Sequence, residues 1–270
     1  MKTTRRDEWR VTSGETDTRG MEHSRHPSPV TRHASAFTLI ELLTVIAIIG
    51  ALAALLFPVV GRIKQQQYLR NATAEMEQLE TAIERYKAAY GFYPPDNPCN
   101  PLVNQLYFEL LGTTVITNNG ALTYQSLDDP TIEFPVTSMS TVFNTLNGNN
   151  CVGGFMNCTR PGSSEDVRPA QNFLSGLKSS QLMIFTNNFP ANSFPIKLLV
   201  TAVTPPGPPY CPLGPNAPGI NPWRYNASNP TNNPGAYDLW IQLPVKGTNN
   251  AQRALICNWN RQMQWNSPLP

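Results

Sequence analysis

The run from Phe37 to Val60 limits this chain more than any other stretch. Every side chain in it is apolar, small, hydroxylic or proline, with the single exception of Glu41. About 20 such residues suffice to span a bilayer as a helix. A carboxylate inside that span costs about 2.5–3.5 kcal/mol on insertion scales. An anchor alone has no use for the charge, so Glu41 is expected to do something else. Three simpler readings exist. Glu41 is a tolerated charge that snorkels to the interface. The run is a secretory signal, although such signals usually have an apolar core of only about 7–15 residues. Or the run is an uncleaved anchor. Each accounts for the apolar run, and none accounts for an acid at this place.

The flanks differ sharply from the run. Residues 1–36 are polar, rich in Arg, Ser and Thr, and without periodicity. They read as a leader that is removed, with Met21 as an alternative start. Pro58, near the end of the run, predicts a kink because it lacks a backbone donor. Such a kink is tolerated in a membrane. Beyond it the pattern becomes amphipathic. Leu69, Ala72, Met76, Leu79, Ile83, Tyr86 and Tyr90 recur at spacings of three and four, one continuous helical stripe expected to pack on a folded domain. Gly91 and Pro94-Pro95 stop the pattern. Residues 37–90 are thus expected to form one gently bent helix, roughly 80 Å long at 1.5 Å per residue. Residues 37–60 would be its membrane and assembly half. Residues 61–270 would form the exported domain.

Composition excludes several functions. The formal net charge is +2 and charged residues are only 14% of the chain, so nothing points to nucleic acid. The three histidines, His23, His26 and His33, all precede the apolar run. A mature chain without the leader has no imidazole, which removes Ser-His-Asp and Cys-His catalysis and any His-ligated metal. The reading is therefore not an enzyme. The five cysteines, Cys99, Cys151, Cys158, Cys211 and Cys257, contain no Cys-x-x-Cys spacing. One or two disulfides are expected in an oxidising compartment. Cys151 and Cys158, bracketing a short glycine-containing loop, are the favoured pair. Some of the others can serve as buried thiols.

The remainder is loop-rich. Pro101–Leu111 reads as a short helix through Leu102, Leu106, Leu110 and Leu111. Residues 131–175 read as a long loop or insertion, and 204–222 as a proline-rich surface loop. Gln181–Phe185 and Ile196–Val203 read as strands. Trp223–Asn226, Tyr237–Gln242 and Ala254–Trp259 read as the strands of a small antiparallel sheet. The acidic pairs Asp128-Asp129 and Glu165-Asp166 look like solvated loop charges. Asn157-Cys158-Thr159 and Asn226-Ala227-Ser228 fit the glycosylation pattern, which is short and common.

The chemistry of Glu41 points to assembly. Residues i and i+4 share a helix face, which places Phe37 beside Glu41. A cut before Phe37 creates an α-ammonium there. An unpaired carboxylate and an unpaired ammonium are each costly in lipid. Both costs fall when the ammonium of one subunit meets Glu41 of another. Staggered helices then stack into a filament through a heterologous, non-closing contact.

Ala36-Phe37-Thr38-Leu39-Ile40-Glu41-Leu42-Leu43, followed by the apolar run, resembles the prepilin cleavage and methylation motif of type IV pilins and type II secretion pseudopilins. The resemblance implies cleavage between Ala36 and Phe37 by a prepilin peptidase, N-methylation of Phe37, and docking through Glu41. It also implies a helix-kinking proline, which Pro58 supplies. The residue before the cut is usually Gly in that family, and Ala36 is a departure that predicts slower processing. Tyr86 with Gly91-Phe92-Tyr93-Pro94 resembles the helix exit of the major pseudopilin. Asn221-Pro222-Trp223 and Tyr237-Asp238-Leu239 resemble its C-terminal elements. Residues from about 95 to 220 match nothing in that pattern and read as an insertion displayed outward.

Those relatives often hold calcium in an acidic loop after the Tyr-Asp-Leu strand. Here Ile241–Asn250 has no carboxylate, so calcium is possible but not favoured and no cofactor is expected. The expected fold is α+β and pilin-like, a long N-terminal helix on a small antiparallel sheet. The expected partners are other copies of the chain, the prepilin peptidase, an inner-membrane assembly platform, and minor pilins or pseudopilins. The expected route runs from a single-pass inner-membrane precursor to a periplasmic pseudopilus or extracellular pilus. The alternative is an adhesin or glycan-binding module on a pilin anchor, presenting Trp223, Tyr225, Tyr237, Trp240, Trp259 and Trp265. A membrane-anchored enzyme, restricted to carboxylate-only glycosidase chemistry, is a third possibility.

Overall fold

The computed structural model describes residues 37–143, 151–162, 168–186, 194–202, 211–215, 217–244 and 253–265; the side chains of 55–62, 64 and 65 are outside this description. The chain divides into two compact units, Met1–Ala53 and Ala54–Pro270. Helix α1 runs from Leu39 to Tyr90 and its assignment is unbroken through Pro58. The described part of the first unit is the start of α1. There Phe37, Leu39, Ile40, Leu42, Leu43, Val45, Ile46, Ile48, Ile49 and Leu52 are all exposed. Among the described residues this is an exposed apolar helix surface.

The second unit is α+β. Short helices α2 (Leu106–Leu111) and α3 (Met139–Phe143) accompany ten strands among the described residues. One sheet has the order β3-β2-β1-β4, formed by β1 (Thr113–Asn118), β2 (Ala121–Ser126), β3 (Glu133–Pro135) and β4 (Cys158–Thr159). A second has the order β10-β9-β8-β7, formed by β7 (Arg224–Asn226), β8 (Asp238–Pro244), β9 (Arg253–Cys257) and β10 (Asn260–Trp265). A two-stranded ribbon joins β5 (Leu182–Thr186) to β6 (Pro195–Leu199). All pairings are antiparallel except β1 with β4.

The stripe of α1 is buried as its spacing predicts. Leu69, Ala72, Met76, Leu79, Ile83 and Tyr86 are in the core, and Tyr90 is packed against it. Polar bonds pin the same helix. Glu75 accepts from the Thr201 hydroxyl at 2.9 Å and the Ala202 N–H at 3.2 Å, while Gln78 donates to the Ser175 carbonyl at 3.3 Å. At its end Gly91 adopts φ +86 and donates to the Lys87 carbonyl at 2.7 Å, the left-handed stop that glycine allows.

Two expectations are corrected. The described part of 95–220 is not displayed outward. Val103, Leu106, Phe108, Phe134, Phe143, Phe155, Ile196 and Leu198 from this segment belong to the same core cluster as the stripe of α1. The disulfide joins Cys99 to Cys151, with 5.9 Å between Cα atoms, and not Cys151 to Cys158. Cys158 is held elsewhere: it opens β4, pairs with Thr113 of β1, and its thiol is buried.

Candidate processing and assembly site

Thr38 and Glu41 form a reciprocal cap at the start of α1. The Thr38 N–H and hydroxyl both donate to Glu41 Oε2 at 2.8 Å, and the Glu41 N–H donates to the Thr38 hydroxyl oxygen at 3.3 Å. This is a capping box, in which two backbone donors that lack helical partners satisfy each other's side chains. The helix ladder begins at once, with the Leu42 N–H donating to the Thr38 carbonyl at 3.2 Å. Thr44 adds a bond from its hydroxyl to the Glu41 carbonyl at 2.9 Å. The Thr-x-x-Glu spacing could have shown this cap in advance. Phe37, just outside the box, is 78% exposed. Ala36, the other side of the expected cut, lies outside the described residues.

The first unit thus presents an exposed aromatic at the helix head, a carboxylate fixed one turn in, and a bare apolar surface behind it. Residues 31–57 match the family model of the prokaryotic N-terminal methylation motif. The chain carries the type IV pilin and pseudopilin signature. That motif marks a pilin-like or pseudopilin precursor, and implies a membrane-anchored form, prepilin peptidase processing and filament assembly. No curated protein and no solved structure matches the chain. Among the described residues no helix is long and apolar enough to cross a membrane. The later part of the apolar run, residues 55–62, has no described side chains.

In the second unit the segment after α1 and the C-terminal sheet meet one another. The Tyr225 hydroxyl donates to the Pro94 carbonyl at 2.9 Å, and the rings of Tyr93 and Tyr237 lie 4.9 Å apart. Asp96 accepts from the N–H groups of Ala227 at 3.0 Å and Ser228 at 3.2 Å. The helix exit and the C-terminal sheet are therefore joined directly. Asp238 is structural. Its carboxylate accepts from the N–H groups of Thr231 at 2.9 Å, Asn232 at 3.0 Å and Asn233 at 2.9 Å. A carboxylate surrounded by donors is already satisfied and is a poor cation ligand. Among the described residues no group of three or more His, Cys, Asp or Glu could hold a metal.

Other sequence candidates resolve as architecture. Asp128 and Asp129 are not merely solvated. Lys197 Nζ lies 3.4 Å and 2.8 Å from them, and its bond, with those from Thr131, lowers the Asp129 carboxyl to about 2. Glu165-Asp166 lies outside the described residues. Asn157 is fully buried and its amide is saturated by Tyr90, Glu109 and Gln171, so this sequon holds a structural asparagine. Of the aromatics, Trp223, Tyr225, Tyr237 and Trp240 are buried, and only Trp265 is strongly exposed. Sequence reasoning passed over Glu109, a buried carboxylate on α2. The signal was there: Leu-Tyr-Phe-Glu-Leu-Leu is too apolar to present a wet face.

Proposed function

We propose that this chain is a structural, non-catalytic subunit of a type II secretion pseudopilus or a type IV pilus-like filament. It is inserted as a single-pass inner-membrane prepilin with residues 37–60 in the bilayer. It is cut between Ala36 and Phe37, methylated on Phe37, and stacked through α1 with a bend at Pro58. The second unit, pilin-like in its helix-on-sheet plan, remains outside the membrane. The observation that carries this reading is the methylation motif at 31–57. The exposed apolar surface of α1 supports it, since a large bare surface of this kind calls for a partner.

The cap gives the docking chemistry an atomic form. Both Thr38 bonds fall on Glu41 Oε2, so Oε1 is the atom offered to the Phe37 ammonium of a neighbouring subunit. The carboxylate is held in place before the partner arrives, which lowers the ordering cost of docking. Buried aromatics in the second unit count against the glycan-binding alternative. The test is to image native filaments and sequence their subunits. A mature chain beginning at methylated Phe37 is expected; one beginning at Met1 or after residue 60 overturns the reading.

A further inference from the structure

Glu109 places a carboxyl inside the packed core. All six residues of α2 are buried, and Glu109 is 0% exposed. Its oxygens meet donors from two other elements. The Tyr86 hydroxyl of α1 donates to Oε2 at 2.9 Å. The N–H groups of Met156 and Asn157, in the turn before β4, donate at 2.9 and 3.0 Å. Asn157 completes the junction. Its side-chain amide donates to the Glu109 carbonyl at 2.7 Å, and its side-chain oxygen accepts from the Tyr90 hydroxyl at 2.9 Å.

The turn is held at both ends by other means. Cys151 is tied to Cys99, and β4 is paired with β1. Between these points it contains Gly153 and Gly154 and exposes Met156. Val152 and Phe155 anchor it in the core, with the Phe155 ring 4.8 Å from that of Phe108, and the Glu109 bonds hold the Met156–Asn157 backbone beside them.

We propose that Glu109 is a pH-responsive latch whose protonation state sets how tightly the turn Val152–Asn157 is held against α1 and α2.

Burial raises the carboxyl from 4.5 to about 7, against the lowering effect of the bonds from Met156, Asn157 and Tyr86. The titratable groups that face it are Tyr86 and Tyr90 on α1, Tyr124 on β2, Cys158 on β4 and Tyr225 on β7. Burial raises all of them, so they keep their protons while Glu109 exchanges its own. Arg168 stands 5.6 Å over the Tyr90 ring, and Arg160 acts on Tyr124 and Cys158. The packed state binds the proton more tightly than the opened state, so packing is favoured at low pH. That advantage is lost as pH rises from 4.5 through about 7. With the proton on, the Tyr86–Glu109 bond reverses and the carboxyl donates to the phenol oxygen.

The latch does not depend on the filament reading. It is tested by amide hydrogen exchange of the full chain in detergent at a series of pH values from 5.5 to 8.0, corrected for intrinsic rates. The wild-type turn is expected to open roughly thirtyfold more readily at the upper end of that series than at the lower. Glu109→Gln should abolish that difference in the turn, while Glu75 and Glu80, also raised by burial, continue to act elsewhere. Tyr86→Phe keeps the acid but removes a bond that lowers it, so it should move the midpoint to higher pH. This second variant serves if Glu109→Gln fails to fold. Equal protection of the wild-type turn across the series, an unchanged pH response in Glu109→Gln, or an unmoved midpoint in Tyr86→Phe overturns the proposal.

Discussion

At the residue scale, Thr38 and Glu41 divide one task. Glu41 carries the charge that the apolar run cannot otherwise explain, and Thr38 holds it. The two substitutions should therefore fail differently. Glu41→Ala removes the charge and the cap together. It should insert normally, since removing a carboxylate only eases insertion, and it should assemble poorly. Thr38→Val keeps the charge but loses the cap, worth about 1 kcal/mol. That corresponds to roughly a fivefold loss in assembly, with Thr38→Ser restoring it. Filament yield per inserted subunit, measured by membrane fractionation and shearing, separates the two. Equal yields from Thr38→Val and wild type would show that the cap is dispensable. Glu41 was legible in the sequence because a charge in an apolar run is conspicuous. Glu109 was passed over, because the short helix was read only through Leu102, Leu106, Leu110 and Leu111. In the structure that helix has no wet side.

At the scale of elements, legibility follows periodicity. The stripe from Leu69 to Tyr86 could be read because one helix face is buried along its whole length. Three of the C-terminal strands, β7, β8 and β9, were found because β-branched and aromatic residues cluster there, while β10, with Asn260, Arg261 and Gln262 at its start, was passed over. The hairpin of β1 and β2 was passed over, although Asn119-Gly120 sits between two runs of alternating residues. Both turn residues adopt positive φ, 49 and 78, the geometry that such a pair selects. Gly120→Val should cost about 1–2 kcal/mol, because a β-branched residue resists that conformation. Thermal unfolding would register it. Ile83→Asp is the stronger test. Ile83 is fully buried on α1, and an unpaired carboxylate there should cost more than about 4 kcal/mol. An unchanged melting curve would mean that the stripe is not the core face.

At the scale of the molecule, the disulfide was misassigned because proximity in sequence was taken for proximity in space. Cys158 lies near Cys151 along the chain but is committed to β4 and the core, whereas Cys99 follows the exit of α1. The observed bridge therefore closes a separation of 52 residues. On a chain-entropy account a loop of that size is worth about 4 kcal/mol. It also joins the segment after α1 to the region that leads into β4, which places a covalent tie across one shared core. Replacing Cys99 and Cys151 together by serine should thus lower stability by about 2–4 kcal/mol. Replacing Cys158, a buried thiol outside any bridge, should cost less and leave the bridge intact. Non-reducing peptide mapping reads the pairing, and denaturation of the same samples reads the stability. A Cys151–Cys158 peptide would mean that β4 does not pair with β1. The hold on the turn before it, and with it the Glu109 junction, would then have to be reconsidered as well.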